Sequence, residues 1–432
     1  MLNVTDLRGQ TPSKSDIRRA LPRGGTDVWS VLPIVQPVVE DVQNRGAEAA
    51  LDYGEKFDHI RPASVRVPAE VIAAAENTLD PLVRESIEES IRRVRKFTLS
   101  KSHPSTPLNF HQVAPSLSVS CRLIAWDCTF QAAMRVPIKR DYEYCPAQEA
   151  GVNSLVVASP PQAEHGGWPH PTILAACSIL GVDEVWAVGG GQAVALLAYG
   201  DDAAGLEPVD MITGPGNIFV TAAKRLVRGV VGTDSEAGPT EIAVLADASA
   251  NAVNVAYDLI SQAEHDVMAA SVLITDSEQL AKDVNREIEA RYSITRNAER
   301  VAEALRGAQS GIVLVDDISV GIQVADQYAA EHLEIHTENA RAVAEQITNA
   351  GAIFVGDFSP VPLGDYSAGS ARFSAGLSTH TFLRPVNLIE YDEAALKDVS
   401  QVVINFANAE DLPAHGEAIR ARFENLPTTD EA

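Results

Sequence analysis

From residue 151 onward the chain alternates between short β-branched runs and helical stretches, and no other feature restricts its fold so strongly. "NSLVVAS", "DEVWAVGG", "VDMITG", "EIAVLAD", "ASVLITD", "GIVLVDD" and "AIFVGD" have the length and composition of buried strands. Between most of them lie helical segments such as "HPTILAACSILG", "QAVALLAYG" and "NARAVAEQITNAG". Strands separated by helices pair in parallel, and a parallel sheet carries helices on both faces. The units are too numerous for one small sheet, so two α/β domains with helical ends are predicted. Within "DPLVRESIEESIRRVRKF" the residues Val83, Ile87, Ile91 and Val94 fall on one helical face, with charge on the other.

The length of 432 residues suffices for two or three domains with a well-buried core. No apolar run is long enough to span a bilayer, and "MLNVTDLRGQTPSKSD" has no signal-peptide pattern. A formal net charge of −25 repels nucleic acid and anionic membrane, so neither is an expected partner. Cys121, Cys128, Cys145 and Cys177 are spaced like neither a disulfide framework nor a zinc knuckle, which fits a reducing cytoplasm.

Ligands of doubly wound sheets gather at the carboxyl ends of the strands. "TGPGNIFVTAAKR" follows a strand there and opens a helix, where backbone N–H groups can hold a phosphate. "VGGGQAV" is a similar junction, and a tight strand-to-helix turn accounts for either loop equally well. Residues 97–145 stand apart. They contain no glycine, include Cys121, Cys128 and Cys145, are basic inside an acidic protein, and follow no period.

On "NAVNVAYDLISQAEHD" the residues Val253, Ala256, Ile260, Ala263 and Val267 form a buried stripe, with Asp258, Gln262 and His265 opposite. Gln262 and His265 are neighbours at this spacing, and imidazole and a carboxamide oxygen both bind metals. A solvated polar face is the commoner explanation of such a pair. "AEHLEIH" sets Glu331 beside His332 where a helix gives way to a strand, a pairing suited to proton transfer or to a plain helix end. Asp365 in "PLGDYSAG", and Glu410 with His415 in "EDLPAHGEA", are unremarkable singly. His103, His111, His165, His170, His336 and His380 read as structural or exposed.

Taken together, "AVGGGQAVALLAYG", "TGPGNIFVTAAKR", "EAGPTEIAVLAD", "SQAEHD", "AAEHLEIHT", "GAIFVGDFSPVPLGDYSAG", "ARFSAGLSTHTFL" and "EDLPAHGEAIRAR" resemble histidinol dehydrogenase, the zinc- and NAD-dependent enzyme that completes histidine biosynthesis. The resemblance implies two Rossmann-like parallel-sheet domains with helical N-terminal and C-terminal extensions, in a domain-swapped homodimer. It implies a helical arm over 1–29, a first α/β domain from 30–145 and 241–371, a second over 146–240, and a C-terminal extension over 372–432 that completes the partner's site. Gln262, His265, Asp365 and His415 match the family's zinc ligands. Glu331 and His332 match its acid–base pair, Thr240 and Glu410 its substrate contacts, and Gln192 and Asn217 its dinucleotide contacts. Glu264 matches the motif, with packing or a local ion pair as its expected role. The implied chemistry is oxidation of L-histidinol to L-histidine through the bound aldehyde, with two hydrides passing to NAD.

The chain departs from the family twice. "WDCTFQAAMRVPIK" stands where a Tyr-x-Pro-Gly-Gly turn is found in the family, and an Asn-His-Val-Leu-Pro-Thr loop is missing after "GDYSAGS". Residues 97–145 therefore read as out of frame. The alternative function is a catalytically impaired relative that keeps the fold, the dimer and zinc binding.

Overall fold

The computed structural model describes residues 2–10, 13–21, 28–101, 122–126, 141–214, 216–234, 240–363 and 392–423. Among these the strands are β1 (Asn3–Asp6), β2 (Arg122–Trp126), β3 (Ser154–Ser159), β4 (Glu184–Ala187), β5 (Met211–Thr213), β6 (Gly232–Thr233), β7 (Glu241–Ala246), β8 (Ala270–Thr275), β9 (Gly311–Leu314), β10 (His332–His336) and β11 (Ala352–Val355). The helices are α1 (Lys14–Ala20), α2 (Val28–Arg45), α3 (Ala47–Asp58), α4 (Ala69–Asn77), α5 (Pro81–Lys101), α6 (Asp141–Glu149), α7 (Pro171–Leu180) and α8 (Gly190–Tyr199). They continue with α9 (Ile218–Val227), α10 (Ala252–Ala263), α11 (Glu278–Arg291), α12 (Ala298–Arg306), α13 (Ile318–Tyr328), α14 (Ala340–Ala344), α15 (Glu393–Ala409) and α16 (Pro413–Arg420).

Two parallel sheets result, in the order β1-β9-β8-β7-β10-β11 and β4-β3-β2-β5-β6. From its central strand each runs outward one way and then the other, so each has a reversal of strand order: between β7 and β10 in the first sheet, between β2 and β5 in the second. Neighbouring residues of a strand point to opposite faces, and both faces are buried. In the first sheet Ile242, Val244 and Leu273 pack under α10, α11 and α12, while Ala243, Leu245 and Val272 pack against α1, α13 and α14. In the second, Val156 and Ile212 meet α2, α3, α8 and α9, while Val157 and Val185 meet α4, α5, α6 and α7. Burial on both sides is why these strands read as unbroken apolar runs.

Three expectations change. The segment 1–29 is not only helical: Asn3–Asp6 pairs in parallel with Gly311–Leu314, giving the otherwise bare edge of β9 its hydrogen-bond partners. The described residues 30–101, 122–126 and 141–145, grouped by the resemblance with 241–371, instead serve the second sheet, where β2 pairs with β3 and β5 and helices α2 to α5 cover its faces. On α5, Ile87, Ile91 and Val94 are buried as predicted, but Val83 is exposed.

The described residues from Asp392 to Phe423 belong to a compact unit of their own. Its described part is the helix pair α15–α16, with Asp392 capping the first helix and Ile404 and Ala407 packed around Gly416. No described helix is long and apolar enough to cross a membrane.

Candidate active site

Helix α10 runs back along the first sheet, so its last turn comes to the amino ends of β7 and β10. Gln262, in that turn, is 1% exposed. Its Nε2 donates to Thr240 Oγ1 at 2.7 Å, just before β7. The amide orientation is thereby set, and Gln262 Oε1 is left buried with no hydrogen-bond partner. A buried acceptor without a donor is costly, and a metal ion is one group that relieves it. His265 follows in the turn after the helix, half-buried, its N–H donating to the Gln262 carbonyl at 3.2 Å.

Strand β10 lies beside β7 with His332 in register with Ile242. Glu331 thus falls next to Glu241, whose backbone N–H donates to the Glu331 carboxylate at 3.4 Å. His332 is buried, with its ring edge-on to Phe354 at 5.9 Å between centroids. Thr240, Gln262, His265, Glu331 and His332 are therefore brought to one end of the first sheet. It is the amino end, not the carboxyl end that the general rule for such sheets predicts. The direction of α10 is the reason, because a helix returning from β7 to β8 can deliver its C-terminal residues only there.

The polar side of α10 also differs from its prediction. Asp258 and Gln262 do not face solvent, and Val255 and Leu259 join Ala256, Ile260 and Ala263 in the core. The sheet on one side and α11 and α12 on the other bury most of the helix circumference. Glu264 turns away from this end: Thr295 Oγ1 donates to its carboxylate, and Arg300 holds its carbonyl oxygen at 3.1 Å. That is the local packing role expected of it.

In the second sheet Asn217 stands after β5, at the carboxyl end beside the reversal of strand order. Its side-chain oxygen caps α9, accepting from Phe219 and Val220 N–H at 3.0 and 3.2 Å. Lys224 Nζ, almost fully buried, reaches the Gly214 carbonyl and Asp234 and so ties down the same loop. Burial raises the Asp234 carboxyl pKa even with the Lys224 ammonium beside it. Gln192 begins α8 and is 3% exposed. The first turn of α8 abuts α9, since a Cβ on Gly191 would come within 3.4 Å of the Phe219 carbonyl oxygen.

Asp365, the cysteines at 121 and 128, the segment 127–140 and the stretch 364–391, which includes the place of the missing loop after Ser370, lie outside the described residues. Glu410 and His415 are exposed on the α15–α16 unit, Glu410 ending α15 and His415 in the first turns of α16. His170 caps α7 through Nδ1 and meets His165 edge to face at 4.8 Å, so both are structural.

The sequence missed one buried polar group. His336 Nε2 lies 3.3 Å from Glu334 Oε2 and 4.0 Å from Asp258 Oδ2, while its Nδ1 lies 3.1 Å from Asp357 Oδ1. The signal was available in "HLEIH", where every second residue of a strand buried on both faces is polar.

This architecture and grouping belong to a two-sheet α/β oxidoreductase. The sequence profile of histidinol dehydrogenase matches residues 21–423, and the chain belongs to that family, whose enzymes act in histidine biosynthesis. It is 87% identical to a histidinol dehydrogenase of Corynebacterium glutamicum over 100% of both chains, and 79% identical to one of Corynebacterium efficiens over 99% of this chain and 97% of the relative. A crystal structure of histidinol dehydrogenase from Elizabethkingia anophelis superposes with a TM-score of 0.85 at 26% identity, covering 98% of each chain.

Proposed function

We propose that the chain oxidises L-histidinol to L-histidine through L-histidinaldehyde, with NAD accepting both hydrides and one zinc ion per subunit binding the substrate. The observation that carries this reading is the unpartnered Gln262 oxygen, turned by Thr240 and adjoined by His265. Gln262, His265 and Asp365, with His415 of the partner subunit, would hold the zinc. When bound, the ion supplies a Lewis acid that fixes the imidazole and amine of the substrate. His332 accepts the alcohol proton as hydride leaves, and Glu331 activates water for the second oxidation. Thr240 and Glu410 contact the substrate, and Gln192 and Asn217 the dinucleotide. Because α15 and α16 fold as a unit apart, delivery of His415 across a homodimer is compatible with the fold.

The impaired-relative reading gains no support from an 87% match over the full length of a histidinol dehydrogenase. That alignment runs over 448 positions, so the relative carries residues this chain lacks, in keeping with the loop missing after Ser370. The test is one purified sample with zinc, NAD and L-histidinol. Two NADH per histidinol, abolished by a chelator, is expected. Zinc-loaded protein that forms no NADH overturns the proposal.

A further inference from the structure

His332, Glu334 and His336 share one face of β10, because side chains on a strand alternate. The same face of the neighbouring strand is aliphatic: Val244 is in register with Glu334 and Ala246 with His336, and both belong to the core under α10. Glu334 is 0% exposed, His336 2% and Asp258 6%. Three polar side chains are thus sunk in an apolar layer, a costly arrangement unless they satisfy one another.

They do so by joining three parts of the chain. Asp258 comes from α10, one turn before Gln262. Glu334 and His336 come from β10, two and four residues beyond His332. Glu334 Oε1 accepts the backbone N–H of Val361, and His336 Nδ1 meets Asp357, both on the segment that runs from β11 towards Asp365. Every segment of this sheet that carries a residue assigned above to the metal or to proton transfer therefore meets at one buried point.

We infer that Asp258, Glu334 and His336 form a positioning brace that fixes α10, β10 and the chain leading into Asp365 relative to one another; this rests on the function proposed above. The brace is held by protons. Burial and the neighbouring Glu334 carboxylate push Asp258 up to about 8, so at neutral pH it keeps its proton and donates it to Glu334. Burial alone would lower the His336 pKa, but its hydrogen bond to Glu334 and the nearby carboxylates of Asp258 and Asp357 raise it on balance. The group is then a hydrogen-bonded chain that runs from the Asp258 acid through Glu334 and the His336 imidazole to Asp357.

Asparagine at 258 keeps a donor towards Glu334, whereas alanine removes it. In full-length Asp258→Ala, hydrogen exchange should quicken about tenfold both over residues 259–266 and over residues 358–363. Zinc affinity, read by competition with a chromophoric chelator, should fall about tenfold, and Asp258→Asn should restore both. If Asp258→Ala does not fold, Glu334→Gln is read in its place, with the 358–363 peptide and zinc affinity deciding. Faster exchange confined to α10, or asparagine no better than alanine, overturns the brace. So does a second bound zinc equivalent that Glu334→Gln removes, since that makes the group a cation site. Exchange is measured without zinc or substrate, so the brace can stand where NADH formation fails, and it can fall where NADH formation succeeds.

Discussion

Thr240 Oγ1 accepts the Gln262 amide N–H at 2.7 Å, and this single bond decides which end of the carboxamide is left over. The leftover end is the oxygen, buried and unpartnered. Thr240→Val preserves shape and removes the acceptor, so the amide loses its fixed orientation. Zinc affinity is expected to fall about tenfold, as for other groups that orient a metal ligand, while the far-UV circular dichroism stays unchanged. Unaltered affinity would mean that the threonine does not orient Gln262.

Glu264 sits between two expected ligands and should not be one. Its carboxylate is engaged by Thr295. Glu264→Gln is expected to leave zinc stoichiometry at one per chain and affinity within about twofold, with a stability loss of roughly 1 kcal/mol from the weakened Thr295 bond. Isothermal titration with zinc separates this from a ligand, whose loss would cost far more.

How much of this was legible beforehand follows from what each pattern encodes. A parallel strand buried on both faces must be apolar at consecutive positions, so "EIAVLAD" and "ASVLITD" announced β7 and β8 directly. Helical periodicity separates two faces of α10 but does not say what covers the second. Asp258 and Gln262 therefore read as solvated when they are buried. The four residues of β1 are too few for a period, and only the free edge of β9 gives them a partner. The amino-end position of the site depends on the direction of α10, which emerges only once β7 and β8 are placed side by side.

Stability should depend on pH through Asp258. Its folded pKa is raised, to about 8 from an ordinary 3.8, by burial and then by Glu334. A raised carboxyl pKa means the folded chain binds the proton more tightly than the unfolded one. The associated stability is complete below pH 4, diminishes as pH rises and is gone above about 8. Urea midpoints should decline between pH 5 and 8, with a slope of at most about 1.4 kcal/mol per pH unit from this residue. Asp258→Asn, which cannot titrate but still faces Glu334 and His336, the latter paired in turn with Asp357, should flatten the decline. An equally steep decline in that variant would show that Asp258 is not its source.

Lys224 and Asp234 are a buried pair at 2.6 Å, and Asp234 also accepts the Gly214 N–H at 2.8 Å. A charge left alone in such a place is much worse than none, because its partner's attraction is lost while its desolvation remains. Lys224→Met should therefore destabilise the chain by about 3–5 kcal/mol. Adding Asp234→Asn removes the stranded charge while keeping an acceptor for Gly214, so the double variant should recover most of that loss. Because the pair holds the loop before Asn217, affinity for NAD should fall in the single variant and return in the double. Urea unfolding at constant slope and NAD titration measure the two effects. Should the double variant be no more stable than Lys224→Met, the pair contributes through packing of the lysine stem, and the electrostatic account of this loop fails.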